Sequence, residues 1–395
     1  MQRKNVFISI SWRRAIPAAA GFMFLFLHAP SRVEAAWYSA GAGRYQYRKL
    51  ITIDHTKVSG SSSLSNFAVL ISTTDADLKT TANGGKVTNS SGYDIIFSSA
   101  DGITKLDHEI DTYTATTGKY NAWVRIPVLS RTVDTSIYIY FGNSSISTSQ
   151  ENATGVWDTN YKGVWHLKET TGAPSKNSTG GSDATPVNSP VQITGQIDGG
   201  LSFNGAANGM EDNISSTFGL GTANVTMETW ANLSAASLSG AFIKIGDTGS
   251  PAPGNGYAIG VGNGLVFETA GSRITALYEG NRWINAGAFT TGWHHFVLVV
   301  DGSGHPIVYY DGSSIYTDAS PGPLAPVNIT HIGGYTASAS ENRHFNGILD
   351  EVRISATVRS ADWIKTEYNN QSSPSTFFSV QALDHDTSAF FQLFE

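Results

Sequence analysis

Glu109 and Asp111 have a spacing that carbohydrate chemistry could use. They flank Ile110 in a segment that alternates like a β-strand, so both side chains should leave the same face. Two carboxylates about 5 Å apart can act as nucleophile and acid in a retaining glycoside hydrolase. The alternative is an acidic face that is solvated or bonded to nearby turns. We assign no catalytic residue on this spacing and keep Glu109 and Asp111 as candidates.

A second acidic pair, Asp350 and Glu351, lies in residues 347–355. This segment and residues 292–302 alternate apolar and polar residues between glycines. That pattern is typical of half-buried antiparallel strands and predicts a β-sandwich. Because adjacent residues of a strand face opposite sides, Asp350 and Glu351 are not expected to share a site.

Several histidines in strand-like segments raise the question of a zinc site: His166, His294, His295, His331 and His344. His294 and His295 are adjacent, so their side chains should point to opposite faces, and no zinc-binding spacing accompanies them. Strand packing and polar surface are therefore favoured over zinc. The sequence also contains no Gly-x-Ser-x-Gly motif and no phosphate-binding loop, which argues against a serine hydrolase or a nucleotide site.

Two turn-rich segments carry groups that could bind a sugar. Residues 247–257 include Asp247, Asn255 and Tyr257, and a second segment begins at Tyr335 and ends at residue 345. Their polar groups could hydrogen bond to hydroxyls, and tyrosine could stack on a sugar face. The alternative is that both are ordinary connections in which proline and glycine set the geometry. These four residues are the predicted ligand-binding candidates.

Residues 1–35 have the features of an export signal. Basic residues such as Arg3 and Arg14 precede the apolar residues 15–27, and small residues around Glu34 suit cleavage. The apolar run is shorter than the ~20 residues of a transmembrane helix, which favours a cleaved signal over a membrane anchor. We therefore expect a secreted, extracellular or periplasmic protein, or one at the cell surface, with no integral membrane segment in the mature chain.

Composition limits the partners that this chain could have. Without residues 1–35 the formal charge moves from −7 to −11, because five basic residues and Glu34 are lost. An acidic chain without a basic patch is poorly suited to nucleic acid. The absence of cysteine excludes disulfides and thiolate metal sites, so any stabilising ion would need oxygen ligands.

The rest of the chain suits two all-β domains. Its 41 glycines and only 14% charged residues favour short strands and turns over helices. We predict a β domain at residues 36–155, a β-sandwich jelly roll at 156–381 and a tail at 382–395. The clearest helix candidate is residues 360–368, where Ser360 can cap it. No pattern is recognisable after Val380, so an exposed terminus is expected there.

Three segments resemble the concanavalin A-like, laminin-G-like jelly rolls of secreted bacterial proteins. They are Gly292-Trp293-His294-His295, Tyr310-Asp311-Gly312 and Ile348-Leu349-Asp350-Glu351-Val352-Arg353-Ile354. Sandwiches of this type often hold a structural calcium ion with an aspartate of the closing strand. The resemblance therefore implies Asp350 as metal ligand and Ca²⁺ as cofactor, the alternative being that Asp350 bonds to backbone or water.

Family members of the laminarinase type carry Glu-x-Asp-x-(x)-Glu on one strand. Here Tyr113 and Thr114 stand where the last acid would be, and Glu109 and Asp111 lie outside the jelly roll. This departure argues against hydrolysis.

The preceding segments resemble an uncharacterised exported bacterial domain of the DUF2341 type, which commonly precedes such jelly rolls. The resemblance includes Tyr47-Arg48-Lys49, Trp123-Val124-Arg125-Ile126-Pro127 and Tyr138-Ile139-Tyr140-Phe141-Gly142-Asn143. It implies no known chemistry.

Together these features predict a secreted or cell-surface binding protein without catalysis, whose jelly-roll loops recognise a polysaccharide or glycan, supported by calcium. Two alternatives remain open. One is a structural or adhesive module that binds protein partners at the cell surface. The other is a divergent glycoside hydrolase or lyase. Nucleic acid is not an expected partner.

Overall fold

The computed structural model describes residues 36–39, 43–212, 224–246, 256–278, 282–319, 329–338 and 341–386. The predicted signal at residues 1–35 lies outside the described residues. Among those described, antiparallel strands dominate and helices are short.

The first strands build a two-sheet sandwich that we call the N-terminal lobe. They are β1 (Tyr47–Ile53), β2 (Leu64–Thr74), β3 (Ile96–Ser99), β4 (Lys105–Leu106), β5 (His108–Thr114), β6 (Lys119–Leu129) and β7 (Thr135–Phe141), with short 3-10 turns at His55–Lys57, Ala76–Leu78 and Thr81–Asn83. One sheet contains β1, β7, β3 and β4, and the other has the order β2-β6-β5. Alternate residues such as Ile51, Phe67 and Val124 are buried between the two sheets.

A short helix, α1 (Ala153–Val156), leads into a second sandwich, the jelly roll. Its strands are β8 (Tyr161–Trp165), β9 (Thr185–Val187), β10 (Val191–Thr194), β11 (Gly199–Asn204), β12 (Gly209–Asp212), β13 (Val225–Leu233), β14 (Gly240–Ile245), β15 (Tyr257–Gly262), β16 (Arg273–Tyr278), β17 (Arg282–Ala288), β18 (Gly292–Val300), β19 (Pro306–Tyr310), β20 (Ser313–Thr317), β21 (Thr330–Ile332), β22 (Thr336–Ser338), β23 (Glu341–Asn342) and β24 (Asn346–Ser355).

Two large sheets of the jelly roll face each other. The eight-stranded sheet has the order β10-β11-β24-β13-β18-β19-β20, with β8 also paired to β24. The seven-stranded sheet has the order β17-β16-β15-β14-β21-β12-β9, and β22 and β23 form a separate hairpin. Met227, Ile259 and Phe296 belong to the apolar core between the large sheets. The predicted strand segments at residues 292–302 and 347–355 correspond to β18 and β24, which pair with β13 on either side.

The chain then returns to the N-terminal lobe through α2 (Ala361–Ser372), α3 (Pro374–Phe377) and β25 (Phe378–His385). Ser360 Oγ accepts a hydrogen bond from the Trp363 backbone N–H at 3.1 Å, which confirms the predicted cap. Trp363 packs on Phe67, with ring centroids 4.7 Å apart. Phe377 is buried in the core of the N-terminal lobe.

After Val380 the chain continues as an ordered strand up to His385, although most of its side chains are exposed as expected. Strand β25 pairs antiparallel with β1, so residues 382–385 belong to the five-stranded sheet of the N-terminal lobe. Val380 and Leu383 pack against the core of that lobe, and β1 gains hydrogen-bond partners along a second edge. The end of the chain therefore completes the sheet in which the first strand lies.

Candidate functional site

A cleft of about 310 Å³ lies beside the outer face of the seven-stranded sheet. The side chains that line it are Val187, Asn188, Ala207, Glu211, His331, Tyr335, Thr336 and His344. Glu211 on β12 lies directly opposite His331 on β21. Because their neighbours Met210 and Ile332 face the core, Glu211 and His331 leave the sheet on its outer side.

Hydrogen bonds fix the polar groups of this cleft. His331 Nδ1 lies 3.1 Å from Glu211 Oε1, and this bond holds the pKa of the Glu211 carboxyl below its usual value. Burial lowers the pKa of His344, whose ring nitrogens contact the Asn208 carbonyl at 3.1 Å and Thr336 Oγ1 at 3.2 Å. At neutral pH the cleft therefore contains a charged Glu211 and a neutral His344.

An aromatic patch adjoins the cleft on the same face. Tyr335 is buried with Phe267 and Leu277, and Trp283 packs against this cluster. The Arg343 guanidinium donates to Tyr335 Oη at 2.8 Å and lies 5.1 Å from the Trp283 ring centroid. Apolar rings next to hydrogen-bonding groups are a combination that can bind a sugar ring and its hydroxyls.

A second cluster of polar side chains lies where the two lobes meet, and Glu109 is part of it. Glu109 Oε2 accepts a hydrogen bond from Trp157 Nε1 at 2.9 Å, and Oε1 accepts one from Ser178 Oγ at 2.5 Å. His166, which follows β8, lies with Nε2 3.4 Å from Glu109 Oε2 and Nδ1 2.8 Å from Glu351 Oε1. The imidazole therefore joins an acid of each lobe. We call this cluster the junction network.

Lys168 forms the next contact between the lobes. Its Nζ donates to Asp111 Oδ1 and to the Asp111 carbonyl, both at 2.8 Å. Burial raises the pKa of the Asp111 carboxyl, although the Lys168 and His166 charges oppose this effect. For Glu109, burial acts in the same direction but is outweighed by the His166 charge and three hydrogen bonds, which lower its pKa to about 2.

Asp350 and Glu351 both face the N-terminal lobe, contrary to the sequence prediction. The register of β24 against β13 shifts between Glu228 and Trp230, and Glu351 has φ = 54°. This bulge turns two consecutive side chains to one face, while Leu349 and Val352 on either side enter the jelly-roll core. The alternation rule failed here because it assumes an unbroken ladder.

Arg353 lies two residues further along β24 and supplies the cation on the jelly-roll side. Its Nη2 donates to Glu351 Oε2 at 2.7 Å, and Nη1 lies 3.5 Å from Glu367 Oε1. The guanidinium is 4.3 Å from the Trp123 ring centroid of β6. Charge-assisted hydrogen bonds and aromatic faces from both lobes thus enclose one fully buried arginine.

Comparisons with known proteins were made on the sequence and on the fold. Residues 204–365 match the family model of the concanavalin A-like lectin/glucanases superfamily, and residues 91–167 match the domain of unknown function DUF2341. The chain contains a concanavalin A-like domain. It follows a region of the DUF2341 type, and both resemblances and the all-β fold are confirmed. No curated protein matches the chain.

Solved structures with some likeness come from several organisms. Domain 4 of an extracellular arabinanase from Geobacillus stearothermophilus, in complex with arabinotriose, is 15% identical, with a TM-score of 0.40; the match covers 53% of this chain and 98% of that domain. A Trypanosoma rangeli sialidase in complex with an inhibitor is 14% identical, with a TM-score of 0.40, covering 66% of this chain and 43% of the sialidase. This chain thus spans less than half of that sialidase.

The concanavalin A-like domain places the predicted ligand-binding residues in different environments. Tyr335 lines the cleft, whereas Tyr257 is 1% exposed and stacks on Tyr278 in the core, so it cannot meet a sugar. The reason is that alternate side chains of β15, including that of Tyr257, face the core. Asp247 and Asn255 lie outside the described residues.

The predicted metal ligand Asp350 lies in the junction network, fully buried. Its Oδ2 accepts a hydrogen bond from the Ile197 backbone N–H at 2.9 Å, and burial together with the Glu351 charge raises its pKa well above the usual value. The calcium ligand assignment stays a prediction. Among the described residues, no helix is long and apolar enough to cross a membrane.

Sequence reasoning missed Glu211, Lys168 and the roles of His166 and His331. Each of these residues acts through a partner that is far away in sequence, such as Glu211 with His331 or His166 with Glu351. A pairing between distant segments leaves no mark in local periodicity. Histidines in strand-like segments were a signal, but their spacing matched no zinc motif and did not reveal these pairs.

Proposed function

We propose that this protein binds a polysaccharide or glycan through the cleft beside the seven-stranded sheet and does not cleave it. The observation that supports this most directly is the wall of the cleft, where Glu211, His331 and Thr336 present acceptors and donors and the largely buried Tyr335 forms part of the lining. Sugars require hydrogen bonds in fixed directions and an apolar surface for the ring face. The superfamily of the domain is in keeping with this ligand class.

Binding without cleavage follows from the acids in the cleft. Among its described lining residues Glu211 is the one carboxylate, and it is already hydrogen-bonded to His331. Hydrolysis with retention or inversion needs two carboxyl groups about 5–9.5 Å apart across the bond to be cleaved. Glu109 and Asp111 cannot serve, because both are buried at the lobe junction and are bonded there.

We further propose that the protein is exported and meets its glycan outside the cytoplasm, as the composition of residues 1–35 suggests. A protein partner at the cell surface is the competing proposal. It predicts a complex that soluble glycan does not displace.

The test is a glycan array and polysaccharide pull-down with the secreted chain, followed by calorimetry on the best ligand. His331→Ala removes a cleft group and frees Glu211, so affinity should fall at least about tenfold, the equivalent of one good polar contact. His55→Ala is the matched control, because His55 lies in the N-terminal lobe, where its ring contacts Asp134. Equal binding by both variants, or no glycan binding at all, would refute the proposal.

Cleavage is tested separately, by following reducing ends in the bound polysaccharide over time. We expect no release. Turnover that disappears in Glu211→Gln while binding persists would show a catalytic cleft and overturn the proposal of simple binding.

A further inference from the structure

Three side chains from distant parts of the chain converge within the junction network. Asp111 of β5, His166 after β8 and Glu351 of β24 each offer one ligand atom, and these atoms lie within 4.8 Å of one another. All three residues are buried. Lys168 and Arg353 bond one oxygen each of Asp111 and Glu351. Asp111 Oδ2 remains buried without a hydrogen-bond partner among the described residues.

Acids outnumber cations around this point. The buried carboxyl groups are Glu109, Asp111, Glu228, Asp350, Glu351 and Glu367. The permanent cations bonded to them are Lys168 and Arg353, since Arg359 is held by Asp158 through two hydrogen bonds. A buried carboxylate without a counter-charge is costly, so this cluster of acids favours either a bound cation or protonation of some of its carboxyl groups, as at Asp350.

We propose that the junction network is a site for one divalent metal ion of the zinc class, held by Asp111, His166 and Glu351. In this site His166 Nδ1 binds the ion, together with Asp111 Oδ2 and the Glu351 oxygen that now faces the ring. His166 Nε2–H then points to Glu109 Oε2, 3.4 Å away. A carboxylate behind the second nitrogen of a metal-bound histidine is a common arrangement, because it fixes the ring and makes it more basic.

The hydrogen bonds to Glu109 suit it to this position behind His166. Its two oxygens are fixed by Trp157 Nε1 and Ser178 Oγ, so it cannot turn away from His166. Glu109 is thus a positioning residue in the proposed site, and Asp111, its neighbour on the same face of β5, is a ligand. In this proposal Glu109 and Asp111, which first suggested hydrolysis, serve metal binding instead.

One imidazole nitrogen and two carboxylate oxygens form a donor set that favours zinc over calcium. Zinc accepts imidazole nitrogen and carboxylate oxygen at about 2.0–2.2 Å with four ligands, which places ligand atoms roughly 3.3–3.6 Å apart. His166 Nδ1 and Glu351 Oε1, at 2.8 Å, would separate by only about half an ångström. Calcium prefers six to eight oxygen ligands at longer distances, so it fits these three donors less well.

A surface cleft lies next to the junction network. Trp157, which bonds to Glu109, also lines a cleft of about 390 Å³ together with Tyr161, Asp158 and Gly180. The ligands come from both lobes, so the ion would bind as the lobes come together and would stabilise their contact. Metal removal should therefore loosen the junction before it disturbs either core.

The experiment uses the full chain as secreted, stripped with chelator under mild denaturation and refolded with Zn²⁺, Mn²⁺, Ca²⁺ or no metal. Elemental analysis after dialysis should find about one Zn²⁺ per chain, and thermal unfolding should shift upward with zinc concentration, as expected of a ligand that binds only the folded state. No retained zinc and no thermal shift would overturn the proposal and leave protons as the balancing charge.

Variants identify the ligands. Asp111→Asn and Glu351→Gln should lower zinc affinity by more than about 100-fold, since even residues behind the ligands commonly contribute 10- to 100-fold. Asp54→Asn, in an exposed Asp54/His55/Asp134 cluster, is the control and should keep full affinity. If the ligand variants fail to fold, Co²⁺ absorption of the native chain decides: an intense visible spectrum that Zn²⁺ abolishes supports a four-coordinate site, and its absence contradicts the proposal.

Discussion

Adjacent histidines on β18 should make opposite contributions to the pH dependence of folding. His295 is buried against Trp230, with ring centroids 5.2 Å apart, and burial together with the Arg353 charge lowers its pKa to about 3. His294 faces the other side of the strand, where Nδ1 lies 2.8 Å from Asp311 Oδ2. Burial disfavours its charge, but the Asp311 bond outweighs this and raises its pKa.

The sign of each effect follows from comparing folded and unfolded chains. An unfolded histidine gains its proton near pH 6.5, whereas folded His295 stays neutral down to about pH 3. Acid therefore favours the unfolded chain. Below about pH 6.5 His295 removes roughly 1.4 kcal/mol of stability per pH unit, which adds up to about 3 kcal/mol by pH ~4.5. His294 acts in reverse, since its stabilisation is complete below pH ~6.5 and is lost as pH rises through the raised folded pKa.

The assay is urea unfolding of the wild type, His295→Gln and His294→Gln at several pH values from about pH 4.5 to about pH 7.5. A loss of packing in either variant does not depend on pH, so it cancels when the difference from wild type is followed against pH. His295→Gln should gain about 3 kcal/mol relative to wild type on acidification. His294→Gln should be less stable than wild type at acidic pH, and this difference should disappear at high pH. Parallel pH profiles for the two variants, or a flat difference for His295→Gln, would refute this account of the strand.

Three further predictions concern the lobe junction and the returning chain, all measured by urea unfolding at neutral pH. Lys168→Met leaves Asp111 buried without its cation and should cost about 3–5 kcal/mol, most of which Asp111→Asn should recover in the double variant; no recovery would contradict the pairing. Phe377→Ala should cost about 3–5 kcal/mol, because the ring fills the core of the N-terminal lobe; a loss below about 1 kcal/mol would contradict this packing. Asp350→Asn should change stability by no more than about 1 kcal/mol, with or without Ca²⁺, because the raised pKa keeps this carboxyl neutral; a calcium-dependent loss would instead establish it as a calcium ligand.

Local patterns in the sequence were sufficient for the elements themselves. Alternation identified β1, β18 and β24, and a serine before an amphipathic run identified the start of α2. These features depend on residues two to four positions apart, so one stretch of sequence contains the whole signal. The same holds for the composition that indicates an all-β chain.

The chemical environment of each candidate depended on contacts between distant segments. Tyr335 reached the cleft, whereas Tyr257 entered the core, although both are tyrosines in or beside turn-rich segments. The inward or outward phase of a strand is set by its partners in the sheet, and residues 257–262 alone do not state it. This is why only one of the two tyrosines remains a candidate for glycan binding.

What the sequence determined by itself was many of the strands, the sandwich class and the short helix after β24. Only the tertiary structure decided that β25 closes the first sheet and that a bulge at Glu351 turns two adjacent acids to one face. It also placed Glu109 and Asp111 beside His166 and Lys168 of the other lobe. Strand formation depends on neighbours along the chain, whereas the pairing of buried charges depends on which surfaces the fold brings into contact.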